Sequence, residues 1–214
     1  AVIGPSGSGK STMCSLISRF WDTDSGTITI GGTDVKEYTL ESLMDQISMV
    51  FQKVYLFADT IENNIKFGQP NASHEEVVSA AKKACCHEFI ESLPDGYATK
   101  IGEGGATLSG GEKQRISIAR AILKDAPIII FDEATANVDP ENEDKLQKAM
   151  EELMKKKTIL MIAHRLKTVQ KADQILVLDH GRIIQQGSHQ ELMAEPGLYQ
   201  DFLNVRRQAS SWKL

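Results

Sequence analysis

Only three cysteines occur in this sequence of 214 residues, and two of them, Cys85 and Cys86, are adjacent. An odd count with a vicinal pair does not suit a disulfide framework. With no CxxC and no Cys/His cluster there is also no structural zinc signature, so reduced thiols in a cytosolic setting are expected. Long apolar runs are missing too. The best of them, Ile128 to Phe131, Thr158 to Ala163 and Ile175 to Leu178, fall far short of the roughly 20 residues of a membrane span. They read as buried strands instead. Basic excess is absent: 24 Lys and Arg face 29 Asp and Glu, a net charge of −5. That balance argues against a general nucleic-acid or anionic-membrane binder but leaves room for a local phosphate pocket. There is no internal repeat, no low-complexity tract and no charged-then-apolar leader. No Met opens the chain, and Ala1-Val2-Ile3 reads as the tail of a strand already under way, so further N-terminal sequence is expected.

What is present alternates. Helical character runs over Met13 to Phe20, a strand and turn over Gly26 to Gly32, a short helix over Leu40 to Gln46 and a strand over Ile47 to Phe51. From Thr60 to Ile90 the pattern is helical, with Ser73 and Glu76 at capping-box spacing. A turn at Leu93 to Gly96 and a glycine-rich loop at Ile101 to Gly105 follow. Then come a helix from Gly111 to Leu123, a strand from Pro127 to Phe131, a helix from Pro140 to Met154 and a strand from Thr158 to Ala163. A helix over Leu166 to Gln170 and strands over Gln174 to Asp179 and Arg182 to Gln186 complete the alternation. Ser188 and Glu191 have the spacing of another capping box. Strand–helix alternation with apolar strands predicts an α/β parallel sheet. The helical stretch predicts an inserted subdomain at 54–110, within a core of 1–53 and 111–214.

The strongest motif is Gly4-Pro5-Ser6-Gly7-Ser8-Gly9-Lys10-Ser11, which fits G-x-x-x-x-G-K-[ST] between a strand and a helix. Gly7 and Gly9 let the backbone curl so that successive N–H groups, with that of Thr12 behind them, point at phosphate oxygens. The helix starting near Lys10 adds its positive end. Lys10 supplies a point charge, and the Ser11 hydroxyl is a hard ligand for Mg²⁺. A second signal is the apolar strand ending in Asp132-Glu133. Carboxylates at the C-terminal edge of an α/β sheet stand where ligands bind. Asp132 suits Mg²⁺ through water, and Glu133 suits a general base beside the attacking water. The third is Leu108-Ser109-Gly110-Gly111-Glu112. Ser109 and Glu112 have capping-box spacing, so an ordinary N-cap is one reading. Two glycines do not help a helix start, and close approach of an anion to the backbone is the other.

Together with Lys113-Gln114-Arg115 and Ile128 to Thr135, these motifs closely resemble the ATP-binding cassette (ABC) nucleotide-binding domain, over essentially the whole chain. The octapeptide from Leu108 is far more specific than the P-loop (Walker A), which many NTPases share. The resemblance implies a P-loop NTPase, RecA-like core that binds and hydrolyses ATP with Mg²⁺. By resemblance, Gln52 is the Q-loop residue, contacting Mg²⁺ or the attacking water. His164 is the switch histidine, contacting the γ-phosphate and ordering Glu133. Asp139 is the D-loop residue, and before Pro140 it is also a good N-cap. In this family two cassettes pair head-to-tail, identical or different, with ATP between one P-loop and the Ser109-Gly110-Gly111 of the other. The γ-phosphate then biases a two-state dimer.

Val54 to Ile65, Ile101 to Gly105 and the stretch from Gly181 to Tyr199 look like exporter-type cassettes. The implied partner is a transmembrane domain upstream or on a separate subunit, with the cassette at the cytoplasmic face of the membrane and no nucleic acid involved. Two alternatives stay open. Val138 to Glu143 is weakly similar to siderophore-type importers built on the exporter fold, and a non-transport ABC ATPase is the other. The family's adenine-stacking aromatic lies upstream of the P-loop, before this sequence begins. Stacking is worth about 1–3 kcal/mol, so ATP affinity of this chain alone is expected to be lower by about tenfold.

Overall fold

The computed structural model of the chain describes residues 1–51, 53–102, 108–132, 140–163 and 169–211; within it, side chains are described outside 140–142 and 206–211. The chain divides into two compact units. One comprises residues 1–43 with 160–214, the other residues 44–159.

In the first unit, β1 (Val2–Ile3) is parallel to both β6 (Thr158–Ile162, which crosses the division) and β7 (Ile175–Asp179), and β7 is antiparallel to β8 (Arg182–Gly187). Val2 and Ile3 are fully buried, as a central parallel strand requires. Ile3, Val169, Ile175, Val177, Leu192, Tyr199 and Leu203 form the core beneath it. Helix α1 (Lys10–Ile17) follows β1. It starts at Lys10, where the motif places the helix start, with Gly9 as its N-cap. A two-stranded hairpin, β2 (Thr29–Ile30) and β3 (Thr33–Asp34), turns through Gly31 and Gly32 at φ 60° and 86°. Positive φ at both central residues is what a type I′ hairpin turn needs.

In the second unit, β4 (Ile47–Phe51) and β5 (Ile128–Asp132) are parallel and in register over all five pairs. With α2 (Leu40–Gln46) leading into β4, this matches the sequence pattern. Helices α3 (Ile61–Lys66), α4 (His74–Lys83), α5 (His87–Glu91), α6 (Gly110–Lys124) and α7 (Pro140–Met154) accompany them. The expected capping box of α4 is formed: Ser73 Oγ accepts from Glu76 N, and Ser73 N donates to Glu76 Oε2 at 2.7 Å. Between residues 54 and 102 the described residues hold one isolated antiparallel bridge, Thr60 with Lys100. Helix α6 packs against α3, α4, α7 and β4. Gln114, Ile116, Ile118, Ala119, Ala121 and Leu123 are all buried. A helix so widely buried is the centre of its unit, not a surface element.

The first unit closes with α8 (His189–Ala194), capped by Ser188 and Glu191 as the spacing predicts, and α9 (Leu198–Ser211), which the sequence pattern did not announce. All three cysteines are free thiols. No helix among the described residues is long and apolar enough to cross a membrane.

Candidate nucleotide site

The loop from Gly4 to Gly9 is fixed before any ligand is considered. Gly4 has no room for a side chain: a Cβ there would lie 2.1 Å from the Leu178 carbonyl oxygen of β7. At the far end, the Ser8 carbonyl accepts from Gly181 N at 3.0 Å, so the β7–β8 turn braces the loop. Gly7 and Gly9 take φ 77° and 100°, which an L side chain resists, and a Cβ on Gly7 would meet nothing. The sequence expectation of a curled glycine loop holds in this form. Pro5, Ser6 and Gly7 are exposed, whereas Ser8 is buried.

Gly9 is the N-cap of α1, and no side chain caps that terminus. The first-turn amides of a helix have no intrahelical acceptor, so the positive end of α1 faces the loop. Lys10 is 8% exposed. Its Nζ donates to Gly4 O at 3.0 Å, Pro5 O at 2.6 Å and Ser8 Oγ at 3.4 Å. The ammonium is therefore turned into the loop. An ammonium desolvated this far has much to gain from a phosphate oxygen. Ser11 and Thr12 are exposed in the first turn of α1.

Asp132 and Ser109 to Gly111 stand in the second unit. Asp132 ends β5, half-buried after the fully buried Ile129, Ile130 and Phe131. Ser109 is the N-cap of α6 at φ −64°, ψ 161°. Its Oγ accepts from Glu112 N at 3.3 Å while its N donates to Glu112 Oε2 at 2.8 Å. The cap reading of Ser109 is thus realised. It does not exhaust the residue, because a hydroxyl that accepts one bond keeps its O–H to donate. Gly110 is exposed and a Cβ on it would meet nothing, while Gly111 is buried. Gln52, Glu133, Asp139 and His164 lie outside the described residues, as do Glu103 to Gly105 and most of the stretch from Leu166.

The family chemistry implies Mg²⁺. The Ser11 hydroxyl and Asp132 carboxylate are hard oxygens of the kind Mg²⁺ takes, and no soft ligand stands beside Ser11 in the motif, so the residues fit the ion.

Sequence reasoning missed several supports. Gln114 Nε2 donates to the Phe51 carbonyl at 3.4 Å, and Lys124 Nζ to the Ile47 carbonyl at 2.8 Å, so α6 grips both ends of β4. Their partners are backbone groups more than sixty residues away, and no spacing rule reaches them. A buried Gln within an apolar helix face is the one local clue.

A glycine loop with an inward lysine at an uncapped helix start, on a mostly parallel α/β sheet, defines a P-loop nucleotide-binding ATPase domain. Comparison with known proteins takes the assignment one step further. Residues 1–136 match the family model described as ABC transporter. An ATP-dependent lipid A-core flippase of Legionella pneumophila (strain Paris) is 53% identical over 97% of this chain, covering 35% of the relative. An uncharacterized ABC transporter ATP-binding protein of Bacillus subtilis (strain 168), YknV, is 52% identical over 93% of this chain and 33% of its own. Among solved structures, a bacterial Atm1-family ABC exporter with ATP bound superposes with a TM-score of 0.89 at 45% identity, over 96% of this chain and 36% of that one. The chain belongs to the ABC transporter family, as its ATP-binding, ATP-hydrolysing domain. It spans about a third of the length of the relatives it matches.

Proposed function

We propose that this chain is the motor cassette of an exporter-type transporter, driving transport by ATP-dependent head-to-tail pairing with a second cassette. The P-loop carries the reading: a buried Lys10 ammonium aimed into a glycine loop at the uncapped N-terminus of α1. In this reading the amides of Gly7 to Thr12 hold the α- and β-phosphates, and Lys10 reaches the β- and γ-phosphates. Ser11, Gln52 and, through water, Asp132 hold Mg²⁺. Bound there, the ion neutralises charge on the phosphates. Glu133 takes the proton of the attacking water, and His164 orders Glu133 and contacts the γ-phosphate. Ser109, Gly110 and Gly111 of one cassette donate to the γ-phosphate on its partner, with Asp139 beside them. Residues 54–110 act as the helical subdomain carrying this signature, and 1–53 with 111–214 as the ATP-binding core.

The partners in this proposal are a second cassette, identical or different, and a transmembrane domain, with the cassette at the cytoplasmic face. The relatives are about three times as long as this chain, which supports a membrane-domain partner. Relatives at 53% and 52% identity carry different descriptions, so the cargo is left open.

The test is Mg-ATP hydrolysis over a wide range of protein concentration, with Glu133→Gln alongside. We expect rate per chain to rise with concentration, and the variant to keep ATP binding while losing about 10²–10⁴ in turnover. Unchanged turnover in the variant removes Glu133 from the base role. A finite rate per chain independent of concentration removes the requirement for pairing.

A further inference from the structure

The turn between β7 and β8 carries no group assigned to ATP, yet both ends of the glycine loop rest on it. Asp179 pairs with Arg182 across the hairpin. The two residues between them, His180 and Gly181, have φ of 44° and 75°. Positive φ at both central residues is the requirement of a type I′ turn, and here it holds a histidine in the left-handed region that L residues avoid. In such a turn the outer pair closes the ladder, which leaves the central amides outside it. The Gly181 amide is spent on the loop: it donates to the Ser8 carbonyl at 3.0 Å. The next loop residue is close as well, since a Cβ on Gly9 would stand 3.5 Å from Gly181 Cα. On the β7 arm, the Leu178 carbonyl oxygen fills the place that a Cβ of Gly4 would take. Residues 178–181 therefore hold the loop at its first and last turns. Ser8 is held through its side chain too, its Oγ accepting from Lys10 Nζ at 3.4 Å.

A trans peptide is planar, so its C=O and N–H point in opposite directions. With the Ser8 carbonyl turned to Gly181, the Gly9 N–H of the same unit is turned away from the hairpin. Local preference does not fix that choice. Rotating the unit changes ψ of Ser8 and φ of Gly9, and glycine accepts either sign of φ about equally. The rotated unit would offer an anion a carbonyl oxygen in place of a donor. We propose that Gly181 is a positioning residue for ATP binding: its backbone N–H, aimed by the β7–β8 turn, fixes the Ser8–Gly9 peptide so that the Gly9 N–H serves the phosphates. The left-handed backbone of His180 is the strain that aims it. A donor fixed in advance needs no ordering when the anion arrives. The position of the turn explains why a hairpin remote in sequence matters to the loop, since β7 is the neighbour of β1, the strand from which the loop springs. This inference rests on the reading of Gly4 to Ser11 as the nucleotide loop.

The test deletes the donor and leaves the turn. Glycolic acid at position 181, introduced by semisynthesis of the full chain, replaces the amide by an ester and removes only the N–H. Gly181→Ala is the conservative variant: it keeps the N–H, and its Cβ would meet nothing, although φ 75° costs it stability. Lys10→Ala reports on the loop itself. In calorimetric titrations the ester should bind ATP and ADP about 3–10-fold more weakly, while Gly181→Ala recovers most of that loss. In both, Tm should fall by about 2–4 °C, so affinity follows the N–H and stability does not. The Gly9 amide proton should shift downfield when ATP is added to the unmodified chain, and lose at least about half of that shift in the ester. Ester affinity within about twofold of the unmodified chain, beside a Lys10→Ala that loses ATP, overturns the brace alone. An equal or greater loss in Gly181→Ala overturns it too, because the turn's stability and not its donor would then decide binding. If Lys10→Ala binds ATP unchanged, the nucleotide-loop reading falls and this inference with it. Should the ester chain fold poorly, the unmodified protein supplies a second measurement. By linkage, saturating ATP should slow hydrogen exchange of the Gly181 amide by the same factor of about 3–10, and exchange unchanged by ATP overturns the proposal.

Discussion

Two helix starts in this chain are assigned to anions, and they are built in opposite ways. Helix α1 begins at a glycine in the left-handed region with no side-chain cap. Helix α6 begins at Ser109 inside a closed capping box, in which Glu112 N donates to Ser109 Oγ and Ser109 N to Glu112 Oε2. The α1 terminus, proposed as the anion site, leaves its first-turn amides without a side-chain cap and has Lys10 turned into the adjoining loop. The α6 terminus is content as a helix end and carries a carboxylate of its own. An anion reaching it gains the Ser109 O–H and the Gly110 approach, against the repulsion of Glu112. The first is suited to holding a nucleotide tightly. The second is suited to responding weakly, when a nucleotide is presented on another surface.

The largest effect should come from Lys10→Ala. Losing a charge-assisted contact costs about 1.5–3 kcal/mol, so ATP affinity should fall by about 10–150-fold in a calorimetric titration. Unchanged binding would remove α1 from the nucleotide site and dissolve the contrast. Ser109→Ala should leave ATP affinity of the monomer within about twofold, because that site serves a partner.

Ser109→Ala nevertheless carries two costs, and a control separates them. Losing an N-cap costs about 1 kcal/mol, which in a chain of this size lowers Tm by about 2–4 °C. Ser188→Ala, at the equivalent capping box of α8, should show the same loss of stability by calorimetry. Only Ser109→Ala should also weaken ATP-driven pairing of Glu133→Gln chains, measured by sedimentation. If both variants pair equally well, Ser109 is a cap and nothing more.

The contrast was half legible in the sequence. Capping boxes rest on an i, i+3 relation, so Ser73, Ser109 and Ser188 could be read from residue types alone. The P-loop is equally local. Nothing local shows that Gly4 sits against Leu178 O, that Gly181 braces Ser8, or that Arg120 and Asn64 meet across fifty-six positions. These contacts exist because the fold brings distant backbone together. Helix α9 escaped notice because its apolar stripe, Leu198, Tyr199, Phe202 and Leu203, ends halfway along. Its first half is held by packing, with Tyr199 fully buried, not by periodicity. Gln52, Glu133, Asp139 and His164 stand on family resemblance, and the kinetics of Glu133→Gln will decide the first of their roles.

The smallest expected effect is the most direct probe of the difference between the two helix starts. Glu112→Gln retains a side-chain oxygen for Ser109 N, so the capping box survives, and only the charge is lost. A carboxylate at a helix N-terminus is worth about 0.3–1 kcal/mol through the dipole, so Tm should drop by no more than about 1–4 °C. Removing it also removes repulsion against an incoming γ-phosphate over a comparable energy range. Pairing of Glu133→Gln chains in ATP should therefore tighten by about two- to fivefold, with the gain fading in high salt as charge effects do. The same protein would then be less stable alone and more readily paired, a reversal no purely structural cap produces. If pairing weakens in step with Tm, the carboxylate does nothing beyond holding the helix end, and α6 does not meet the phosphate at all.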